Sequence, residues 1–261
     1  MQAHYSRTAH GYSLLELSIV LAVLGLFAGG LATFVTRDQS AKNISLTNAR
    51  LDEIDDAIKR YYVRNGYLPC PASATTAESS ASFGASTDCT IAAPAGTTDV
   101  TPATGTSTDA LRKGVVPFRE LGLSPRYMYD AWNNRINYTV IKALTVDRSG
   151  YDDFETTTTN GLIQMLDAPS GDSIIPGSTS FFIEYVLVSP GSDQKGGYNQ
   201  TGALYAVCTP ATPTADSENC DGDETYLDMP LNETTTAANY FNDFIKWGSR
   251  DDLEIFSESD E

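Results

Sequence analysis

One carboxylate stands alone in an apolar stretch. Residues 14–35 read LLELSIVLAVLGLFAGGLATFV, and Glu16 is their single charge. A carboxylate there does no catalysis; its chemistry is ionic pairing, because an unpaired charge in apolar surroundings costs roughly 2.5 to 3.5 kcal/mol on insertion scales. No Lys or Arg lies in the stretch, so the partner comes from another chain or from a free N-terminus. The other reactive side chains are four cysteines, Cys70, Cys89, Cys208 and Cys220, with no CxxC spacing for dithiol redox work. Two His and no HExxH leave a zinc hydrolase almost without ligands. There is no nucleophile motif and no phosphate loop, so the chain is expected not to be an enzyme.

The elements that carry these residues follow from periodicity. At 1.5 Å per residue, residues 14–35 cover about 33 Å, the thickness of a bilayer core. The short basic segment before them, with Arg7, predicts that the N-terminus stays cytoplasmic and the rest crosses. Beyond the apolar run, Ile44, Leu51, Ile54, Ile58, Tyr61 and Tyr62 fall on one helical face. No proline interrupts residues 12–68, and Asn65-Gly66 followed by Pro69 marks a stop. One helix from about Ser13 to Arg64 is predicted, near 78 Å long. Gly25, Gly29 and Gly30 interrupt its apolar half, as close helix packing requires. The balance of 17 basic against 34 acidic residues gives a net charge of −17, which disfavours nucleic acid as the main partner.

Gly11-Tyr12-Ser13-Leu14-Leu15-Glu16-Leu17, followed by the apolar run, resembles the type IV prepilin signature. The resemblance implies cleavage by a prepilin peptidase between Gly11 and Tyr12 and methylation of the new N-terminus. It makes Glu16 the fifth mature residue, the one that meets the N-terminal amine of a neighbouring subunit during assembly. His10 and Tyr12 depart from the Lys or Arg and the Phe that the family commonly has there.

Further along, residues 73–110 are rich in Ser, Thr, Ala and Gly without period, and read as a long surface excursion. Strands are predicted at Arg135–Ile141, at Phe181–Val188 (FFIEYVLV, a central strand), at Ala203–Cys208 and in the return segment Phe241–Trp247. The C-terminal SRDDLEIFSESDE reads as a solvated acidic tail. The expected fold is α+β: a long N-terminal helix, membrane half plus packed half, against an antiparallel sheet, pilin-like. Asp130-Ala131-Trp132-Asn133-Asn134-Arg135 is similar to the Asp-Pro-Trp-Gly-Asn turn of major type II secretion pseudopilins, with Asp130 as a cap and Trp132 as a core anchor. Four cysteines allow three pairings; near-neighbour spacing favours Cys70–Cys89 and Cys208–Cys220, the alternative being four buried thiols. The Ser189–Gly197 loop resembles the calcium loop of major pseudopilins, which implies Asp193 as a ligand. Lys195 intrudes, and Asp221, Asp223, Glu224 and Asp228 are the nearby acids able to supply further oxygens; the alternative is solvated charge.

The expected organisation is therefore a leader at 1–11, a transmembrane and filament-core helix at 12–36, and a periplasmic or extracellular globular domain at 37–261. The expected protein is a structural filament subunit, a pseudopilin of a type II secretion system, or alternatively a major or minor type IV pilin. Its expected partners are identical or related pilin subunits, the prepilin peptidase, an assembly platform and the bacterial inner membrane, which it crosses once. No cofactor other than calcium is expected.

Overall fold

The computed structural model describes residues 14–103, 110–152, 154, 162–169, 171, 173–174, 182–208, 215–234 and 240–259, the side chains of residues 27–38 excepted. The chain divides into two units, residues 1–44 and residues 45–261. Helix α1 runs from Leu14 to Asn65, 52 residues. It stops where the backbone turns left-handed at Gly66 (φ 76°), whose N–H closes the last turn on the Tyr62 carbonyl at 2.7 Å.

The expected membrane half of α1 is not upheld. Among the described residues no helix is long and apolar enough to cross a membrane. The architecture is α+β, but the described residues contain no membrane-spanning helix of the kind that the predicted fold and the single-pass inner-membrane placement both required.

In the second unit, five strands form one antiparallel sheet in the order β1-β2-β3-β5-β7: β1 (Thr98–Val100), β2 (Leu111–Val115), β3 (Asn137–Ile141), β5 (Ile183–Ser189) and β7 (Phe244–Ser249). A separate parallel pair joins β4 (Gln164–Leu166) to β6 (Thr225–Leu227). Period-two alternation assigns the two sheet faces. Tyr138, Val140, Tyr185 and Leu187 pair across β3 and β5 on the face toward α1, where the Tyr185 hydroxyl reaches the Asp55 carboxylate of α1 at 2.6 Å. Gly248 of β7 stands opposite Tyr185, and a Cβ there would collide with the Tyr185 ring. Leu51, Ile54 and Ile58 of α1 are fully buried, so the outer stripe of the helix is a core face. At about 25 cal/mol per Å² of apolar surface, each such side chain stabilises by about 2 kcal/mol.

Two short helices, α2 (Arg148–Asp152) and α3 (Ala215–Glu218), fill connections, and α4 (Arg250–Ser259) follows β7 directly. The last segment is therefore a helix with Leu253 fully buried, not a solvated tail. Ala203–Cys208 is not a strand. It makes isolated bridges, Tyr198 with Leu204 and Lys195 with Ala206, and Leu204, Tyr205 and Val207 are exposed.

Candidate functional site

Gly11 and Tyr12 lie outside the described residues, as does Phe181. Glu16 sits exposed in the first turn of α1, where the unpaired N–H groups of a helix end favour a carboxylate. Around it nine large apolar side chains between Leu14 and Leu26 are exposed, the end ones by 87% and 79%. They occupy successive positions and so cover every face of the helix, unlike the one-sided stripe of a helix that packs on its own domain.

The Asp130 turn is a rigid joint. The Asp130 carboxylate accepts the backbone N–H groups of Trp132 (2.8 Å) and Asn134 (2.9 Å), the Asn134 side-chain amide (2.8 Å) and the Ser189 hydroxyl (2.8 Å). Burial pushes its pKa up, and these hydrogen bonds pull against that. Asn133 adopts φ 66°, a conformation Asn tolerates. Arg50 of α1 donates to the carbonyls of Tyr129 and Asp130, both at 2.7 Å, and Trp132 stacks on Phe244 with ring centres 5.5 Å apart. Asp130 and Trp132 thus fasten helix to sheet.

Two disulfides join Cys70 to Cys89 and Cys208 to Cys220, with Cα atoms 5.8 Å and 5.6 Å apart. The first closes the Ser/Thr-rich excursion, the second ties the segment after Tyr198 to the end of α3.

Asp193 and the later acids do not converge on one centre. The Lys195 ammonium lies 3.2 Å from Asp193 and 2.5 Å from Asp216, so the loop's carboxylates already hold a cation. Glu224 accepts the Ala103 N–H, and Asp228 is bonded by the Trp247 side chain. Glu218, Asp221 and Asp223 bring carboxylate oxygens within 4.8 Å of one another. Burial, then the neighbouring acids, pushes the pKa of Glu218 up; Asp221 is also pushed up, burial again being the largest cause. Among the described residues these three are the acids grouped closely enough to hold a cation, and acidic groups of this kind are common without one.

Sequence reasoning missed a buried charged cluster. Pairing shifts between Ile183 and Tyr185, so Glu184 occupies a β-bulge, which re-aims a side chain out of the sheet's alternation. The Tyr151 hydroxyl of α2 bonds to the Glu184 carboxylate, 2.9 and 2.8 Å from its two oxygens. Arg250, first residue of α4, donates from Nε to the same carboxylate at 3.1 Å and from its terminal nitrogens to the Tyr151 and Phe154 carbonyls. Its guanidinium also lies over the Tyr151 and Phe182 rings. Burial raises the Glu184 pKa to about 7, against the pull of Tyr151 and Arg250. The signal was present in FFIEYVLV, where one acid interrupts an otherwise apolar strand.

No protein-family model, no curated protein and no solved structure matches this chain.

Proposed function

We propose that this chain is a structural subunit of a type IV pilin-like filament, most nearly a pseudopilin of a type II secretion system, which works by stacking with identical or related subunits. The observation that carries this reading is the start of α1: apolar side chains exposed all round, with one carboxylate, Glu16, in the first turn. Apolar surface of that extent associates. A helix bare on every side is covered best by several like helices at once, as in a helical array, and one charge among them fixes the stagger. The Gly11–Leu17 signature supports processing by a prepilin peptidase, which creates the one new cation, the Tyr12 amine, at the right depth for Glu16. In an apolar surround the attraction is strong but desolvation offsets much of it, so the pair sets register more than stability.

The test is Glu16→Leu in a strain carrying the full assembly machinery. Intact mass is expected to show the variant cleaved before Tyr12 and methylated, as the wild type is, while filaments or secretion are lost and unassembled subunit accumulates. Normal assembly by Glu16→Leu at wild-type subunit levels overturns the role of Glu16. A mature N-terminus beyond the apolar run overturns the whole reading.

A further inference from the structure

Segment 198–208 lines two clefts. One, about 190 Å³, lies on the sheet face turned away from α1. It is lined by Thr98, Lys113 and Thr139 from β1, β2 and β3, by Tyr226 and Asn219, and by Tyr198, Leu204 and residues 206–208 of the segment. The other, more open, is lined by Asn133, Asn199, Gln200, Thr201 and Tyr205. The segment is held in place from both ends. The Cys208–Cys220 disulfide anchors it, and the buried Arg135 guanidinium donates to the Gln200 carbonyl at 2.8 Å.

The linings are unusual for this chain. Acids make up 34 of its 261 residues, yet neither the 19 residues lining the first cleft nor the five lining the second include one. The single charge, Lys113, is already engaged: its ammonium bonds to the Asp223 carbonyl and lies 4.8 Å over the Tyr226 ring. Conversely, among the described residues the side chains of Thr98, Asn133, Tyr198, Gln200 and Tyr205 make no hydrogen bond, so their hydroxyls and amides are available.

These facts sort the ligand classes. A cation finds no carboxylate in either lining. An anion finds one lysine already bonded, beside the acids that flank Gly222 at the cleft wall. A wholly apolar ligand would strip water from open amides and hydroxyls without replacing it. An added peptide strand finds segment 196–206 already spent on itself, Asn199 N–H bonding to the Ala203 carbonyl, Tyr205 N–H to Gly197 and Gly196 N–H to Ala206, and the one sheet edge at the cleft, β1, offers only three residues. What remains is a neutral ligand with many hydroxyls and apolar C–H faces. Neutral amides and hydroxyls meet its hydroxyls, and the rings of Tyr198 and Tyr205 meet its C–H faces.

We propose that the surface formed by segment 198–208 and its two flanking clefts binds a neutral saccharide. This is independent of filament assembly, which uses α1. Because the segment is pinned before binding, little ordering is needed.

The test titrates the full chain, held in a zwitterionic detergent free of sugar, with maltotriose, chitotriose, trigalacturonate and a neutral Ser/Asn-rich hexapeptide. Backbone amide shifts of residues 196–207 are followed by NMR. At least one neutral trisaccharide is expected to shift these amides with a Kd of about 1 mM or tighter. Tyr205→Ala and Gln200→Ala are each expected to weaken it threefold or more while leaving the rest of the spectrum unchanged, since both side chains are exposed. The proposal is overturned if neither neutral trisaccharide shifts these amides at about 10 mM. It is equally overturned if trigalacturonate or the hexapeptide binds as tightly, or if both variants bind like the wild type.

Discussion

Glu184→Gln isolates the buried cluster. In the folded chain this carboxyl titrates near 7, against an ordinary value of 4.5, because its side chain is fully buried. Its raised pKa means the folded state holds the proton more tightly than the unfolded chain does. The stability it contributes is therefore complete below about pH 4.5 and is lost as pH rises through about 7. Ionising it inside the fold costs about 3 kcal/mol more than ionising it in water. Glutamine keeps the shape and an acceptor oxygen for Tyr151 or Arg250 but never ionises. Asp130, Asp216, Asp228 and Asp243 are also pushed up by burial, so the wild type carries a background slope of the same sign. That background cancels in the difference between variant and wild type. Urea unfolding at pH 5, 6, 7 and 8, followed by tryptophan fluorescence, is expected to show the variant gaining about 3 kcal/mol on the wild type between pH 5 and pH 8. In melting temperature that is roughly 6–12 °C. A difference that stays constant across the range means Glu184 does not titrate there and refutes the reasoning.

Two further expectations concern crosslinks and the acidic loop. Cys208→Ser with Cys220→Ser removes the tie on segment 198–208 and is expected to cost about 3 kcal/mol in the chain-entropy model, read as a lower urea midpoint than the oxidised wild type; an unchanged midpoint refutes it. Lys195→Met takes the ammonium from the buried Asp216 carboxylate and is expected to cost about 2 kcal/mol at pH 7, with much of the loss recovered near pH 4 as Asp216 takes up a proton; the check is urea unfolding at both pH values.

The reach of sequence reasoning was uneven along the chain. The buried stripe Leu51-Ile54-Ile58 and the stop at Gly66 were legible because helical period and left-handed glycine are local properties. Phe181–Val188 and Phe241–Trp247 each pointed to a strand of the sheet, displaced by two or three residues. Ala203–Cys208 misled, since ALYAVC has strand composition, but a disulfide and turns at Asn199–Gly202 bend it into an exposed loop. The acidic C-terminal segment misled in the opposite sense: Leu253 and Arg250 find buried partners that composition does not reveal.

Local order determined the helix and its end, three of the seven described strands, the exclusion of zinc-hydrolase and dithiol motifs, and the isolation of Glu16. Tertiary structure decided everything that depends on residues far apart meeting. Glu184 became a buried acid held by Tyr151 and Arg250, 33 and 66 positions away, only because a bulge turned it out of the alternation. The two clefts beside segment 198–208 draw their linings from five strands and four loops. Among the described residues no helix is long and apolar enough to cross a membrane, which the hydropathy of residues 14–35 had led one to expect. Hydropathy counts residues along a line, whereas burial and partners are set by which lines the fold lays side by side.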